Sequence, residues 1–387
     1  MKILYLITLS IFSFFIVSCN SNQSQAPKAV KGVIDLRNWD FEKDGSIFIN
    51  GEWYFYYNEF LNYNNFDTIN QKELINIPTT GNYYYWKNQK VSSKSYYSFY
   101  LRLILPKNDN LSLRLKPIRT AYKLFINDKL CDSAGIIGKD KEHGKPEYKS
   151  QIIDINYHNS DTVNLVIWIS NYHYWKGGIL NSILLGKTKE IYSMQTIYIL
   201  RDSFIVGGLI ALLIFFTFTY FFMRHQNLYL QYSLWCLAFI LRVISVDEII
   251  ILNIIPQLNW EILVKFELIS LIMMAVLGMY YWNNLIKNKF SKLFMTIALP
   301  VGIIISLIIT FTPASFHSEL LPLNKYYSLI CATYYLTLCI LMVMQKKDNA
   351  YLMLFGYMFM YLGAINEIFS TMGIRILNGE YFNYLHG

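Results

Sequence analysis

The sequence predicts a multidomain membrane protein, an antiparallel β-sandwich followed by a bundle of transmembrane α-helices. Two observations lead to this fold class. Between residues 33 and 190, apolar and polar residues alternate in several short runs, which is typical of half-buried strands. From residue 198 onward, long apolar segments dominate. The first of them, residues 203–223, has no charged side chain and can cross the roughly 30 Å hydrocarbon core of a bilayer.

The N-terminus has the features of a secretory signal peptide over residues 1–19. Lys2 provides the charged start, and residues 3–17 provide the apolar run. The run ends at Cys19 in a sequence similar to a bacterial lipobox, so Cys19 is a candidate lipid anchor. The alternative is an ordinary signal peptide cut nearby, with Cys19 incidental. Residues 20–32 then form the expected polar linker.

Each predicted strand of the sandwich has one apolar face. The residues on these faces recur at every second position: Phe99, Leu101, Leu103 and Leu105; Leu111, Leu113 and Leu115; Tyr122, Leu124 and Ile126; Val163, Leu165, Ile167 and Ile169. Pro106, Asn127-Asp128 and Ser170-Asn171 separate the runs as turn signals. A segment of about 150 residues is long enough to bury a core between two sheets.

Six spans can be placed after the sandwich. They cover about residues 203–223, 228–247, 262–284, 292–311, 326–345 and 350–370, and residues 195–202 leave little slack before the first. Positive charges follow the first, third and fifth spans, as Arg224, Lys287–Lys292 and Lys346-Lys347. The positive-inside rule puts these loops in the cytoplasm and the sandwich outside, as the signal peptide also requires. We therefore expect a bacterial inner membrane protein with a periplasmic N-terminal domain.

Ionisable residues near the outer ends of the spans are candidate functional groups, because charge at membrane depth is costly. They are Arg242, Asp247, Glu248, Glu267 and Glu367. These intramembrane polar residues could line a pocket beneath the sandwich, or pair across helices, as Arg242 with Glu367. Interfacial anchoring and structural pairing are the alternative.

Several motifs carry a resemblance to a known family. Residues 51–56 look like the opening of a jelly-roll module, and Tyr122–Asn127 looks like a strand and turn of galactose-binding-like sandwiches. Trp168–Ile179, with Leu185-Gly186, is similar to the last strands of that fold. Followed by a membrane bundle, the chain resembles the bacterial seven-transmembrane receptors with diverse intracellular signalling modules (the 7TM-DISM family). The resemblance implies an all-β jelly-roll sensor domain at residues 33–190 and a seven-transmembrane-type domain at residues 198–387.

The resemblance also implies features that the apolar pattern alone does not. A seventh span would begin near residues 381–387, followed by a cytoplasmic output domain such as a kinase or cyclase. We therefore expect the chain to be incomplete at its C-terminus, with a genuine six-span protein as the alternative.

In the resembled family the sandwich is thought to bind a carbohydrate or another small ligand. The main candidate site is the loop cluster Tyr172, His173, Tyr174 and Trp175, because aromatic faces stack on sugar rings and loops commonly carry binding residues. In the alternative, these aromatic residues cap the sandwich or rest on the bilayer interface. Residues 83–87 form a second candidate.

The predicted function is a transmembrane receptor that relays ligand binding to a cytoplasmic signalling module. The alternative is a polytopic transporter or channel subunit with an exported accessory domain. The dispersed histidines and the 5 cysteines form no metal, disulfide or catalytic pattern, so we expect no enzymatic activity, cofactor or metal site. The net charge of +8 is scattered along the chain, which argues against nucleic-acid binding. The sequence leaves the oligomeric state open, with a homodimer as one arrangement.

Overall fold

The computed structural model describes residues 26–62, 72–79, 83–106, 110–155, 161–223, 226–285 and 289–371. Within the helices, the side chains of residues 284–285 and 367–371 lie outside this description. The expected signal peptide, the lipid-anchor candidate Cys19 and the expected start of a seventh span also lie outside the described residues.

The N-terminal half folds into two facing β-sheets. Its described strands are β1 (Val33–Asp35), β2 (Ile47–Phe48), β3 (Gly51–Tyr57), β4 (Glu73–Ile77), β5 (Tyr83–Trp86), β6 (Gln89–Ser92), β7 (Tyr96–Ile104), β8 (Leu111–Leu115), β9 (Ala121–Ile126), β10 (Lys129–Ala134), β11 (Gln151–Ile155), β12 (Thr162–Ser170) and β13 (Leu184–Lys187). The larger sheet has the order β10-β9-β12-β7-β3-β4, with β1 also paired to β7. The smaller sheet has the order β11-β8-β13-β2, and β5 and β6 form a separate hairpin. The pairing of β1 with β7 is parallel, whereas the other described strand pairs are antiparallel.

The apolar faces of the two sheets meet in one core. Every residue that the alternation assigns to an apolar face of β7, β8, β9 and β12, with the adjacent Leu105, is buried in this cluster, so the predicted sandwich is confirmed. Asn127 and Asp128 have φ values of 48° and 69°, the left-handed conformation that a two-residue hairpin turn between β9 and β10 requires. The alternating pattern and the turn signal at residues 127–128 are therefore both consistent with the observed pairing of β9 and β10.

Long helices make up the second half. Those described are α1 (Thr188–Phe222), α2 (Asn227–Ser245), α3 (Trp260–Leu285), α4 (Lys289–Phe311), α5 (Leu321–Met344) and α6 (Ala350–Thr371). Short helical turns at Ile251–Ile254, Ala314–His317 and Ser318–Leu320 lie in the α2–α3 and α4–α5 connections. By length and composition, five described segments can cross a membrane: Thr188–Phe222, Asn227–Ser245, Trp260–Asn283, Lys289–Phe311 and Ala314–Met344. The apolar stretch Ala350–Asn366 is shorter. The predicted membrane bundle is confirmed.

Helix α3 lies at the centre of the bundle. It packs against α2, α4 and α5, while α1 packs against α2 and α6 packs against α5. Gly302 on α4 leaves room for Tyr327 on α5, since an added Cβ would lie 2.4 Å from the Tyr327 hydroxyl. That hydroxyl donates to the Ala298 carbonyl at 3.0 Å. Small residues of this kind allow membrane helices to approach closely.

Strand β13 continues directly into α1. The strand ends at Lys187 and the helix begins at Thr188, so the expected connection, residues 195–202, lies inside the helix. The 35 residues of α1 extend over about 52 Å, which exceeds the roughly 30 Å of a hydrocarbon core. The first turns of α1 contact the sandwich: Ser112 Oγ donates to Thr188 Oγ1 at 2.7 Å, and Ile191 is fully buried.

Candidate functional site

The sandwich contacts the bundle at α1, the α2–α3 connection, the start of α3 and the α4–α5 connection. We call this contact region the junction. Its members are Lys94, Arg114, Lys116, Arg119, Tyr148 and residues 172–176 of the sandwich, with Tyr198, Arg242, residues 247–249, Trp260, Glu267 and residues 315–319 of the bundle.

Arg114 of β8 and Glu248 of the α2–α3 connection form a buried ion pair. Their side chains are only 6% and 2% exposed, and Arg114 Nη2 donates to the Glu248 carboxylate. The Arg114 guanidinium carbon also lies 4.8 Å from the ring centroid of Tyr198 on α1. Burial raises the pKa of Glu248, and the Arg114 charge opposes that rise. Because loss of either charge would leave the other buried without its counter-ion, the pair ties β8 to the bundle.

The connection that carries Glu248 has an unusual backbone. Asp247 and Ile249 have φ values of 57° and 49°, and a β-branched residue such as Ile249 rarely adopts this left-handed conformation. Asp247 is 43% exposed, and its carboxylate lies 3.6 Å from Lys116 Nζ. Strained conformations persist where surrounding contacts hold them, and Ile249 and the neighbouring Glu248 are both buried.

Trp260, the first residue of α3, is surrounded by aromatic rings of the sandwich. The centroid of its ring lies 5.5 Å from Tyr148, 6.4 Å from His173 and 6.4 Å from Tyr174. Tyr148, Tyr174 and Trp260 are buried. The start of α3 is therefore held in an aromatic cluster that the sandwich provides.

The predicted ligand cluster lies at the edge of the sandwich that faces the bundle. Asn171 shapes its loop by donating to the carbonyls of Ser93 and Tyr174 at 3.1 and 3.0 Å. Tyr172 is half-buried and donates to the Lys139 carbonyl at 2.6 Å, while the Trp175 backbone N–H donates to Ser318 Oγ at 3.1 Å.

Three side chains of this loop segment, His173, Tyr174 and Lys176, have shifted pKa values. Burial lowers the pKa of His173, with a smaller contribution from Lys141. Burial raises the pKa of Tyr174 to about 12, so its hydroxyl is neutral. Burial also lowers the pKa of Lys176, and the charge of Arg119 adds to this effect. Burial therefore disfavours the charged forms of these three side chains.

Arg119 links the predicted cluster to the bundle. Its guanidinium carbon lies 4.2 Å from the Tyr148 ring centroid and 4.7 Å from that of Tyr174. Its Nη1 atom is 4.0 Å from the Glu267 carboxylate on α3. Arg242 of α2 donates to the backbone carbonyl of Glu267 at 3.0 Å. The structure therefore brings Arg242 and Glu267, two of the predicted polar residues, beneath the Tyr174 loop.

A further contact joins the sandwich to the α4–α5 connection. Lys94, between β6 and β7, forms an ion pair with Glu319 and donates to the Ser315 carbonyl at 3.5 Å. The Lys94 and Glu319 side chains are 33% and 57% exposed, so this pair contributes little to stability.

The other predicted residues lie elsewhere. Glu367 belongs to α6, but its side chain is outside the described residues. In the second candidate cluster, Tyr84 is buried in the sandwich core, whereas Tyr83 and Tyr85 are exposed on the β5–β6 hairpin. Among the described residues, no group of three or more His, Cys, Asp or Glu side chains could hold a metal ion.

Sequence reasoning missed Arg114, Arg119, Tyr148 and Trp260. Arg114 occupies a polar position of an alternating run, a pattern that predicts exposure to solvent. Arg119 and Tyr148 lie between strands and belong to no motif. Trp260 stands at the end of a span, where an aromatic residue normally indicates an interfacial anchor. No local sequence signal identifies these four residues, because each contacts partners that are distant in the sequence.

Comparisons with known proteins found one family and several solved structures. Residues 198–387 match the family described as 7TM diverse intracellular signalling. The chain is similar to a solved β-glucuronidase from Ruminococcus gnavus, with 11% identity, a TM-score of 0.27, and coverage of 36% of this chain and 29% of that chain. It is also similar to the β-glucuronidase of an uncultured Clostridium sp., with 13% identity, a TM-score of 0.28, and coverage of 36% and 28%. The chain thus spans under a third of the length of these enzymes. No curated protein matches it.

Proposed function

This chain belongs to the 7TM diverse intracellular signalling family, and from that premise we propose that its sandwich senses a carbohydrate or another small ligand and its bundle relays binding to a cytoplasmic signalling module. A multi-pass membrane protein with a signalling role follows from the family. The ligand, the direction of the signal and the residues involved are parts of the proposal. No catalytic step belongs to it.

The observation that carries the proposal is the stiff mechanical connection between sandwich and bundle. Strand β13 passes into α1 without a linker, and the buried Arg114–Glu248 pair joins β8 to the α2–α3 connection. A ligand shifts a two-state equilibrium only by its difference in affinity for the two states. Through these two connections, a change in the sandwich on ligand binding can be transmitted to the helices.

We propose the loop cluster Tyr172, His173, Tyr174 and Trp175 as part of the ligand site. Two observations support it. His173 and Tyr174 contact Trp260 of α3, and the Trp175 backbone contacts Ser318 of the α4–α5 connection. A ligand bound on this loop would contact both halves of the chain, which is what a relay requires.

We further propose that the sandwich is periplasmic, that the bundle lies in the inner membrane, and that Cys19 is the lipid anchor. The α2–α3 and α4–α5 connections both contact the sandwich, so they share its side of the membrane. The lysine-rich connection after α5 then lies on the opposite side, the cytoplasmic side by the positive-inside rule. Reporter fusions test this: one at Asp128 should report the periplasm and one at Lys347 the cytoplasm. Activity of both fusions in one compartment would overturn the topology.

Insertion of Gly-Ser-Gly-Ser between Lys187 and Thr188 is expected to uncouple the two halves. Calorimetry of the full chain in detergent should show the sandwich unfolding together with the outer part of the bundle before insertion, and separately from it afterwards, because the flexible segment absorbs displacement. The matched control is the same insertion between Asn127 and Asp128, in the β9–β10 turn of the larger sheet, whereas α1 contacts β8, β11 and β13. Identical profiles for the insertion variant and the unmodified protein would contradict the relay.

A panel of neutral and acidic glycans then tests sensing directly. A bound glycan should raise the unfolding temperature of the joined transition in the unmodified protein. In the insertion variant, a bound glycan should raise the unfolding temperature of the sandwich transition alone. Failure of every glycan to change either profile would count against carbohydrate sensing, while the linkage result would still report on the relay.

A further inference from the structure

Buried hydrogen-bond donors without acceptors gather on the Arg119 side of the junction. Among the described residues, Arg119 Nη1, Tyr148 Oη, Trp175 Nε1 and Trp260 Nε1 are buried and have no hydrogen-bond partner. Tyr148 is 4% exposed and Trp260 is 8% exposed. Buried polar groups in folded proteins are normally paired, so several orphaned donors in one place call for an explanation.

Three of these donors, on Arg119, Tyr148 and Trp260, share one aromatic cluster. The rings of Tyr148 and Trp260 lie 5.5 Å apart, and the Arg119 guanidinium carbon lies 4.2 Å from the Tyr148 ring centroid. Arg119 and Tyr148 belong to the sandwich, whereas Trp260 belongs to α3. These three donors therefore line a contact between the two halves of the chain.

Positive charge exceeds negative charge around this cluster. The charges of Arg119 and Arg242 act on Tyr174, and those of Arg119 and Lys141 act on Lys176 and His173 respectively. The acids that act on these groups are Glu267 and Glu261. Glu267 lies 4.0 Å from Arg119 Nη1, beyond hydrogen-bonding distance, and so leaves that donor unsatisfied. Both the charge excess and the donors suit an anionic oxygen.

We propose that the junction binds a small ligand through its carboxylate, with Arg119 and Tyr148 of the sandwich and Trp260 of the bundle as the donors. The proposal rests on the receptor function above and adds the ligand class and three residues outside the predicted loop. A carboxylate accepts several hydrogen bonds at once and pairs well with a guanidinium. The surrounding rings offer flat surfaces to the body of the ligand.

A carboxylate at this position would act on both halves of the chain. It would accept hydrogen bonds from both Arg119 and Trp260. It would thereby favour an arrangement in which sandwich and bundle are in contact at the junction over one in which they are separated. Its affinity would then differ between the two arrangements, which is the condition for shifting their populations. The ligand would thus enter the structure where the sandwich already meets the helices.

Isothermal calorimetry on the full chain in detergent tests the proposal with matched probes. Galacturonate and galactose differ in the carboxylate, and benzoate carries a carboxylate without a sugar. We expect binding of galacturonate, of benzoate or of both, and no binding of galactose. Tighter binding of galacturonate would identify the ligand class as an acidic sugar, and tighter binding of benzoate would identify it as another organic acid. The proposal would be overturned if neither acid bound, or if galactose bound with the same affinity as galacturonate.

Substitutions locate the bound acid. Arg119→Gln should weaken its affinity about tenfold or more, because a charge-assisted hydrogen bond is lost. Tyr148→Phe removes one hydroxyl, keeps the ring and should weaken affinity about threefold to tenfold. The controls are Arg37→Gln and Tyr54→Phe, whose side chains belong to the sandwich but not to the junction or to either candidate ligand cluster. Neither control should change affinity.

The outcomes separate this site from the receptor function. If an acid binds with unchanged affinity in Arg119→Gln and Tyr148→Phe, the junction site is wrong while sensing stands. Should Arg119→Gln fail to fold, Tyr148→Phe decides the matter. If the Lys187–Thr188 insertion also leaves the unfolding profile unchanged, the receptor function itself fails.

Discussion

Replacement of Glu248 by alanine is expected to lower the free energy of unfolding by about 3–5 kcal/mol, because it leaves the charge of Arg114 buried without its partner. The Arg114 side chain is only 6% exposed, so water cannot take the place of the carboxylate. Denaturant unfolding of the full chain in detergent, followed by tryptophan fluorescence, measures this loss. The loss should appear in the sandwich and outer bundle together, since the pair joins them.

Two further variants isolate the cause. Asp247→Asn changes the neighbouring acid, which is 43% exposed and 3.6 Å from Lys116, and it should cost less than about 1 kcal/mol. Asparagine tolerates the left-handed backbone at that position. The double variant Arg114→Met with Glu248→Leu removes both buried charges and should recover most of the lost stability. A Glu248→Ala variant as stable as Asp247→Asn would show that the ion pair does not stabilise the junction.

Replacement of Trp53 by alanine is expected to destabilise the sandwich by about 3–5 kcal/mol, the range for loss of a large buried aromatic side chain. Trp53 lies in β3, is 0% exposed and is among the largest fully buried side chains described. Its Nε1 donates to the Ile49 carbonyl at 3.1 Å, so alanine also removes that bond. The same denaturant titration measures the change.

Tyr85→Ala is the matched control, since Tyr85 is another aromatic strand residue of the sandwich but is 64% exposed. It should cost less than about 1 kcal/mol. If both variants lost similar stability, the facing-sheet core would not be the main source of sandwich stability.

The sandwich core and the helices could be predicted because local patterns encode them. Leu101 and Leu103 lie two residues apart on one face of β7, and the structure buries both in the core. Residues 203–223 lack charge, and the structure places them in α1 up to its end at Phe222. In each case the environment of a residue follows from its near neighbours in the sequence.

The junction could not be predicted in the same way, because its contacts join distant residues. Arg114 and Glu248 are separated by 134 positions. The position of Glu248 near a span predicts a functional or paired acid, but nothing local identifies its partner. Arg114 belongs to an alternating strand whose polar face α1 and the α2–α3 connection cover, so the pattern gave it the wrong environment. The aromatic loop pattern predicts a role for Tyr174, yet its contact with Trp260 depends on how two domains meet.

The uninterrupted passage from β13 into α1 sets a rule for engineering chimaeric receptors. A helix turns by about 100° for each residue, so a single added residue at Lys187–Thr188 would rotate the whole of α1 relative to the strand that precedes it. An addition of seven residues, about two turns, would nearly restore the angular phase while lifting the sandwich by about 10 Å. Grafts of a foreign sensor onto this bundle should therefore preserve helical phase at the splice point, whatever the sensor recognises.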